Sequence, residues 1–193
     1  MNTRSGLFAV AVGALTALGL ACGGAESVDE LPPEPPENEV NFPALVQGVV
    51  NGWTINTSEE FPPIGCGAGS LINQMRCVGG NCDDVGAYCA SAGATFSDTY
   101  WTSYFSEEGT NYRTCSAGWW MTGLVCRGAH CDDISIQCTQ VTNRGTGSCR
   151  WADRQFSEEF PNTYSLPSGW YARGLACTGG LCDNLRVYEC QLL

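Results

Sequence analysis

One segment, read at residues 118–138 as G-W-W-M-T-G-L-V-C-R-G-A-H-C-D-D-I-S-I-Q-C, occurs two further times, at 69–89 and at 169–190. A tryptophan and then Ser-Glu-Glu precede each copy: Trp53 with Ser58, Trp101 with Ser106, Trp151 with Ser157. From Cys77 to Cys126 to Cys177 the repeat is 49 and then 51 residues long. A supersecondary unit of that size cannot bury its apolar face alone. The three units, about 42–94, 95–147 and 148–193, are therefore expected to close into one domain over 42–193.

The cysteines follow the repeat. Of 13, twelve divide as four per unit: Cys66, Cys77, Cys82, Cys89; Cys115, Cys126, Cys131, Cys138; Cys149, Cys177, Cys182, Cys190. An even set in an exported chain reads as a disulfide framework rather than four-cysteine zinc sites. Gly79, Gly128 and Gly179 each stand two residues after the anchor cysteine and suit a tight hairpin turn with positive φ. Such a turn sets the flanking cysteines opposite each other at disulfide distance, pairing Cys77–Cys82, Cys126–Cys131 and Cys177–Cys182. Cys66–Cys89, Cys115–Cys138 and Cys149–Cys190 remain. In the third unit Leu166 stands where Cys66 and Cys115 do, Glu189 takes the closing cysteine's slot, and Cys190 follows one residue later. Both members of one pair have moved together, and the delay predicts a β-bulge or an early strand end there.

The thirteenth cysteine, Cys22, belongs to the N-terminus. Arg4 precedes an apolar run from Leu7 to Ala21, too short to span a bilayer but of signal-peptide length. The run ends L-G-L-A-C-G-G, which resembles a bacterial lipoprotein signal with Cys22 as the acylated first residue after removal of 1–21. Ordinary cleavage after Ala21, giving a soluble secreted protein, is the alternative. Gly23 rather than Asp after Cys22 favours outer-membrane sorting. Residues 23–41 hold six acids, four prolines and no base, a composition that favours extended chain over a packed core. At about 3.1 Å per residue, the 22–41 tether would reach roughly 60 Å.

Charge narrows the partners. Lysine is absent, and residues 42–193 carry eight arginines against fourteen acids. That balance argues against nucleic acid and against adhesion to anionic lipid, leaving the lipid anchor as the expected membrane contact.

Strand periodicity fills the repeats. Val85, Ala87 and Cys89 are apolar on one parity, as are Ile134, Ile136 and Cys138, and Leu185 and Val187. The expected fold is all-β and disulfide-rich, each repeat building its own antiparallel sheet and three sheets packing around a pseudo-threefold axis. The succession C-x-G-x-x-C-D-[DN], an alternating strand and a closing Cys, three times over about 150 residues, resembles the vitelline membrane outer layer protein I group. Asp83-Asp84 and Asp132-Asp133 match that family's Gly-Asp-Asp turn, and Leu185-Arg186-Val187-Tyr188 echoes its closing strand. The C-x4-C pairs depart from it. The resemblance implies a β-prism I fold and, because such folds are often lectins, contact with glycan or extracellular matrix.

Candidate chemistry is sparse. Asp83, Asp84, Asp132 and Asp133, with Asp183-Asn184, are weak calcium ligands lacking D-x-D-x-D spacing and read better as turn-closing carboxylates. Glu59-Glu60, Glu107-Glu108 and Glu158-Glu159 invite comparison with a glycosidase pair, but neighbours on a strand point to opposite faces. His130, the only histidine, lies in a hairpin tip without a nucleophile signature. Trp53, Trp101 and Trp151 are expected in the core or against a sheet end. Trp119, Trp120, Trp170 and Tyr171 occupy the slots of Ser70 and Leu71, and one ring of each pair is the expected sugar platform. The resulting expectation is a non-enzymatic surface lipoprotein module that binds carbohydrate and needs no cofactor. A structural envelope or coat protein and, third, a polysaccharide-active enzyme are the alternatives.

Overall fold

The structure, a computed structural model, describes residues 46–159 and 161–193. The signal peptide, Cys22 and the acidic tether lie outside the described residues. The first repeat supplies strands β1 (Val46–Val49), β2 (Gly52–Trp53), β3 (Ile64–Cys66), β4 (Ser70–Val78) and β5 (Asp84–Ser91). The second supplies β6 (Phe96–Trp101), β7 (Tyr112–Thr114), β8 (Trp119–Arg127) and β9 (Asp133–Val141). The third supplies β10 (Thr146–Trp151), β11 (Phe156–Ser157), β12 (Thr163–Ser165), β13 (Trp170–Thr178) and β14 (Asn184–Leu192).

Each repeat's long hairpin, β4/β5, β8/β9 or β13/β14, is the centre of one sheet. The sheets are not built from single repeats as the sequence leads one to expect. The first has the order β12-β4-β5-β2, the second β1-β3-β8-β9-β6, and the third β10-β14-β13-β7 with β11 also on β14. Every hairpin is therefore flanked on one side by its own repeat and on the other by a short strand from a different one. The pairing is antiparallel except for β1 on β3, which is parallel. That edge departs from the purely antiparallel expectation because the chain, after passing through β2, returns along β3 in the direction of β1.

Inward residues fill one large core. Ile72, Met75, Val85 and Ala87 meet Met121, Leu124, Ile134 and Ile136, and Leu175, Leu185 and Val187, all at most 1% exposed. The alternation in β5, β9 and β14 thus points inward as its period-2 pattern requires. A smaller cluster gathers Leu71, Trp120, Val141 and Cys190, with Tyr171, Tyr188 and Leu192 against it.

Six disulfides staple the domain: Cys66–Cys89, Cys77–Cys82, Cys115–Cys138, Cys126–Cys131, Cys149–Cys190 and Cys177–Cys182. Such a set belongs to an oxidising, extracytoplasmic environment. No helix among the described residues is long and apolar enough to cross a membrane. The three short pairs form by a geometry other than opposed strand residues. Cys77 faces Val85, Cys126 faces Ile134 and Cys177 faces Leu185. The second cysteine sits instead in a single 3-10 turn after Gly79, Gly128 or Gly179, whose φ values are 79°, 80° and 81°. Two successive residues then adopt left-handed backbone, Asn81 and Cys82, His130 and Cys131, Leu181 and Cys182. This curl brings the second cysteine back over its hairpin, with Cα–Cα distances of 4.7, 4.8 and 4.9 Å.

The third repeat holds a second correction. β14 runs unbroken from Asn184 to Leu192 through Glu189 and Cys190. The irregularity within the hairpin is in its partner β13, between Ala172 and Gly174, and β4 and β8 show it at the corresponding place. It is a property of all three repeats and not a response to the moved cysteine. Glu189 keeps the inward slot, fully buried, and Cys190 faces the other way, directly opposite Cys149 on β10.

Candidate functional site

The outer faces of the sheets share a plan and differ in what fills it. Trp53 and Tyr88 stand edge to face in the first sheet with ring centroids 5.6 Å apart; Trp151 and Tyr188 meet at 5.1 Å in the third. Trp53, Trp101 and Trp151 are half-buried, and the rings of Trp53 and Trp151 pack on outer-face tyrosines instead of entering the core. Beside them runs a hairpin pair that changes with each repeat: Arg76 opposite Gly86, Val125 opposite Ser135, Ala176 opposite Arg186.

Those exchanges decide whether the face is open. In the first sheet the Arg76 guanidinium lies 4.6 Å above the Trp53 ring, and its Nε and Nη2 donate to Asn56 Oδ1 at 3.2 and 2.9 Å. The arginine occupies the ground beside the tryptophan. In the second sheet Val125 and Ser135 are buried, Ser135 Oγ donates to Thr102 O at 2.7 Å, and Arg127 covers Tyr104 at 3.7 Å. The third sheet has only a methyl group, Ala176, where Arg76 stands. A cavity of about 330 Å³ opens there.

Four strands, β7, β10, β13 and β14, and the loop before β11 shape this groove. Tyr112 arrives on β7, opposite Ala176, and meets Trp151 of β10 edge to face at 5.8 Å. Asn111 precedes Tyr112, and its carbonyl accepts from Cys177 N at 2.9 Å, which anchors the rim. Gln155, in the loop before β11, donates from Nε2 to Thr178 Oγ1 at 2.8 Å. Arg186, on β14, donates from Nε to Ala152 O at 2.7 Å. The lining is thus two aromatic rings, two amides, a hydroxyl and a guanidinium, with no carboxylate. Its volume falls at the lower end of small-ligand sites, about 300–1,000 Å³.

The residues singled out from sequence lie elsewhere. Trp120 is fully buried in the smaller cluster against Tyr171, with centroids 6.4 Å apart, so it offers no face to a sugar. Trp119 packs on the main core and on Tyr100 at 5.0 Å, and Trp170 packs on the core with the Arg150 guanidinium 4.8 Å over its ring. Tyr171 is half-buried against the smaller cluster. None of the four lines the groove. Aligning the three repeats at Arg76/Val125/Ala176 and Gly86/Ser135/Arg186 was the signal available in the sequence for the position that does open.

The acidic motifs serve as joints. The Glu pairs lie in turns or bends rather than on strands. Glu107 Oε1 accepts from Leu181 N at 2.6 Å, and Glu158 Oε1 accepts from Asn81 N at 2.9 Å. Each carboxylate therefore crosses from its own repeat to the left-handed turn of another. Burial, the hydrogen bond to Glu107 and that carboxylate's charge push the Asp132 carboxyl up to about 6. Burial and Glu59 raise Asp83 in the same way, against the opposing pull of His130, whose Nδ1 is 3.7 Å from Asp83 Oδ1. Asp83 Oδ1 and Asp132 Oδ1 accept no hydrogen bond among the described residues, so these two atoms do not close their turns. Glu107 with Cys177 and Cys182 is a grouping of metal-type donors, but both sulfurs are committed to one disulfide and present no thiolate.

No protein-family model, curated protein or solved structure matches this chain.

Proposed function

We propose that the chain is a non-enzymatic surface module of β-prism type that binds carbohydrate in the groove of the third sheet. The observation that carries this reading is the open groove itself: flat rings of Tyr112 and Trp151 beside the amides of Asn111 and Gln155 and the Thr178 hydroxyl. Aromatic faces take the apolar side of a sugar ring while amides and hydroxyls satisfy its hydroxyls. The exchange of short strands among three sheets and the threefold C-x-G-x-x-C-D-[DN] motif support the β-prism assignment and the kinship with the vitelline membrane outer layer protein I group. The L-G-L-A-C-G-G signal supports acylation at Cys22 and display at a bacterial outer membrane on the acidic tether.

Glycan-array binding by the disulfide-intact domain tests the reading. A signal on saccharides that Trp151→Ala abolishes, while Trp119→Ala retains it, is the expected result. A blank array with folded protein removes the carbohydrate assignment. Mass spectrometry of the mature N-terminus decides acylation at Cys22.

A further inference from the structure

We infer that the groove selects an acidic saccharide, holding the sugar's carboxylate on Arg186; this rests on the carbohydrate reading and narrows its ligand class. Three observations lead there. Arg186 donates Nε to Ala152 O, and that bond fixes the plane of the guanidinium. Its Nη groups carry no hydrogen bond or ion pair among the described residues. A guanidinium anchored in this way presents two parallel donors, the fork that matches a carboxylate.

The second observation is the lining. Among the groove residues Arg186 is the only charge, and no carboxylate is present to accept hydrogen bonds from sugar hydroxyls. By contrast, Arg127 and Arg150 have acids of their own, Asp133 at 3.0 Å and Glu189 at 2.8 Å.

The third is the exchange among repeats. Opening the groove required loss of the arginine at the Arg76 position, and a positive charge reappears across the hairpin, where Gly86 and Ser135 give way to Arg186. The charge has moved from filling the space to its floor. A ring carrying a carboxylate can then lie against Trp151 with its acid over the guanidinium and its hydroxyls toward Gln155 and Thr178.

The test uses two disaccharides that differ only in a terminal glucuronate against a terminal glucose, titrated calorimetrically into the oxidised domain. The glucuronate form is expected to bind about tenfold or more tightly, the worth of one charge-assisted bidentate contact. High salt should erode the preference while leaving the glucose form unaffected. Arg186→Gln should bring the glucuronate form down to the affinity of the glucose form, read on protein whose melting temperature shows it folded. Arg186→Lys, which keeps the charge without the fork, should retain part of the preference and covers the case in which the Gln variant unfolds. Equal binding of the two sugars, or a preference that survives Arg186→Gln, overturns the acidic-saccharide inference and leaves carbohydrate binding standing. Binding of neither overturns both.

Discussion

The domain closes its sheets in two different ways. Cys66 lies on β3 in the second sheet and Cys89 on β5 in the first, so their disulfide crosses between sheets. Cys115 follows β7, its N–H held by Arg173 O of β13, and bonds to Cys138 on β9, joining the third sheet to the second. The remaining junction, between first and third, has no such bridge among the described residues. Leu166 follows β12 with its N–H held by Asn73 O of β4, in the place Cys115 has, and Glu189 fills the slot of Cys89 and Cys138. There Tyr164 Oη donates to Glu189 Oε2 at 2.9 Å and Arg150 Nε to Glu189 Oε1 at 2.8 Å. One joint is covalent and indifferent to pH; the other is ionic and indifferent to reductant.

The third repeat departs from the other two around this junction. Its displaced cysteine, Cys190, pairs with Cys149 within a single sheet and no longer spans two. A buried carboxylate is tolerable only with partners, and Glu189 has an arginine and a phenol aimed at it. Arg150, held protonated more firmly by that bond, also covers Trp170. The same repeat exchanges Arg76 for Ala176 and opens the groove.

Removing a covalent joint should have the largest effect. The Cys115→Ala/Cys138→Ala variant, which deletes a cross-link of separation 23, is expected to lose about 3 kcal/mol in urea denaturation, the chain-entropy value for a loop of that length. Cys66→Ala/Cys89→Ala, with the same separation, should lose as much. A loss under about 1 kcal/mol in both would mean that the sheets close without their staples and that the two kinds of joint do not differ in strength. The ionic joint should respond less. Glu189→Gln keeps the shape and one acceptor for Tyr164 while removing the charge, at an expected cost of about 2 kcal/mol. A neutral result would show that Arg150 contributes through Trp170 alone.

Much of this was legible beforehand, and the misses have physical causes. The inward parity of Val85, Ala87 and Cys89 follows from period-2 alternation, and the cysteine spacing together with the paired move of Cys149 and Cys190 leads to the same six disulfides the structure holds. The backbone curl that closes the short pairs is not legible in the sequence, because left-handed backbone at Asn81, His130 and Leu181 is not encoded by any residue type favouring it in all three turns. Exchange of β3, β7 and β12 between sheets was hidden because three-residue strands show no alternation, and their partners lie a repeat away. The groove is silent in the sequence because an alanine announces a site only by what it fails to fill, whereas Trp119, Trp120, Trp170 and Tyr171 are conspicuous and pack on the two hydrophobic clusters.

Tyr164→Phe isolates the weakest link of the ionic joint and gives it a signature that no disulfide shares. Loss of its hydrogen bond to Glu189 should cost about 1 kcal/mol near neutral pH. Burial first, then the bond to Glu189 and that carboxylate's charge, push the Tyr164 hydroxyl up to about 12 from its ordinary value of 10. The folded state therefore holds this proton more tightly than the unfolded chain. Its contribution is complete below pH 10 and is lost as pH rises through 12, the range in which unfolding releases a proton that folding retained. Chemical denaturation across that range should show the native protein losing stability more steeply than Tyr164→Phe, the gap between the two curves closing and then reversing toward the alkaline end, because the rise of the hydroxyl from 10 to about 12 outweighs that single hydrogen bond. Parallel curves would mean that Tyr164 ionises as freely in the fold as outside it and that Arg150 alone secures Glu189 across the unbridged junction.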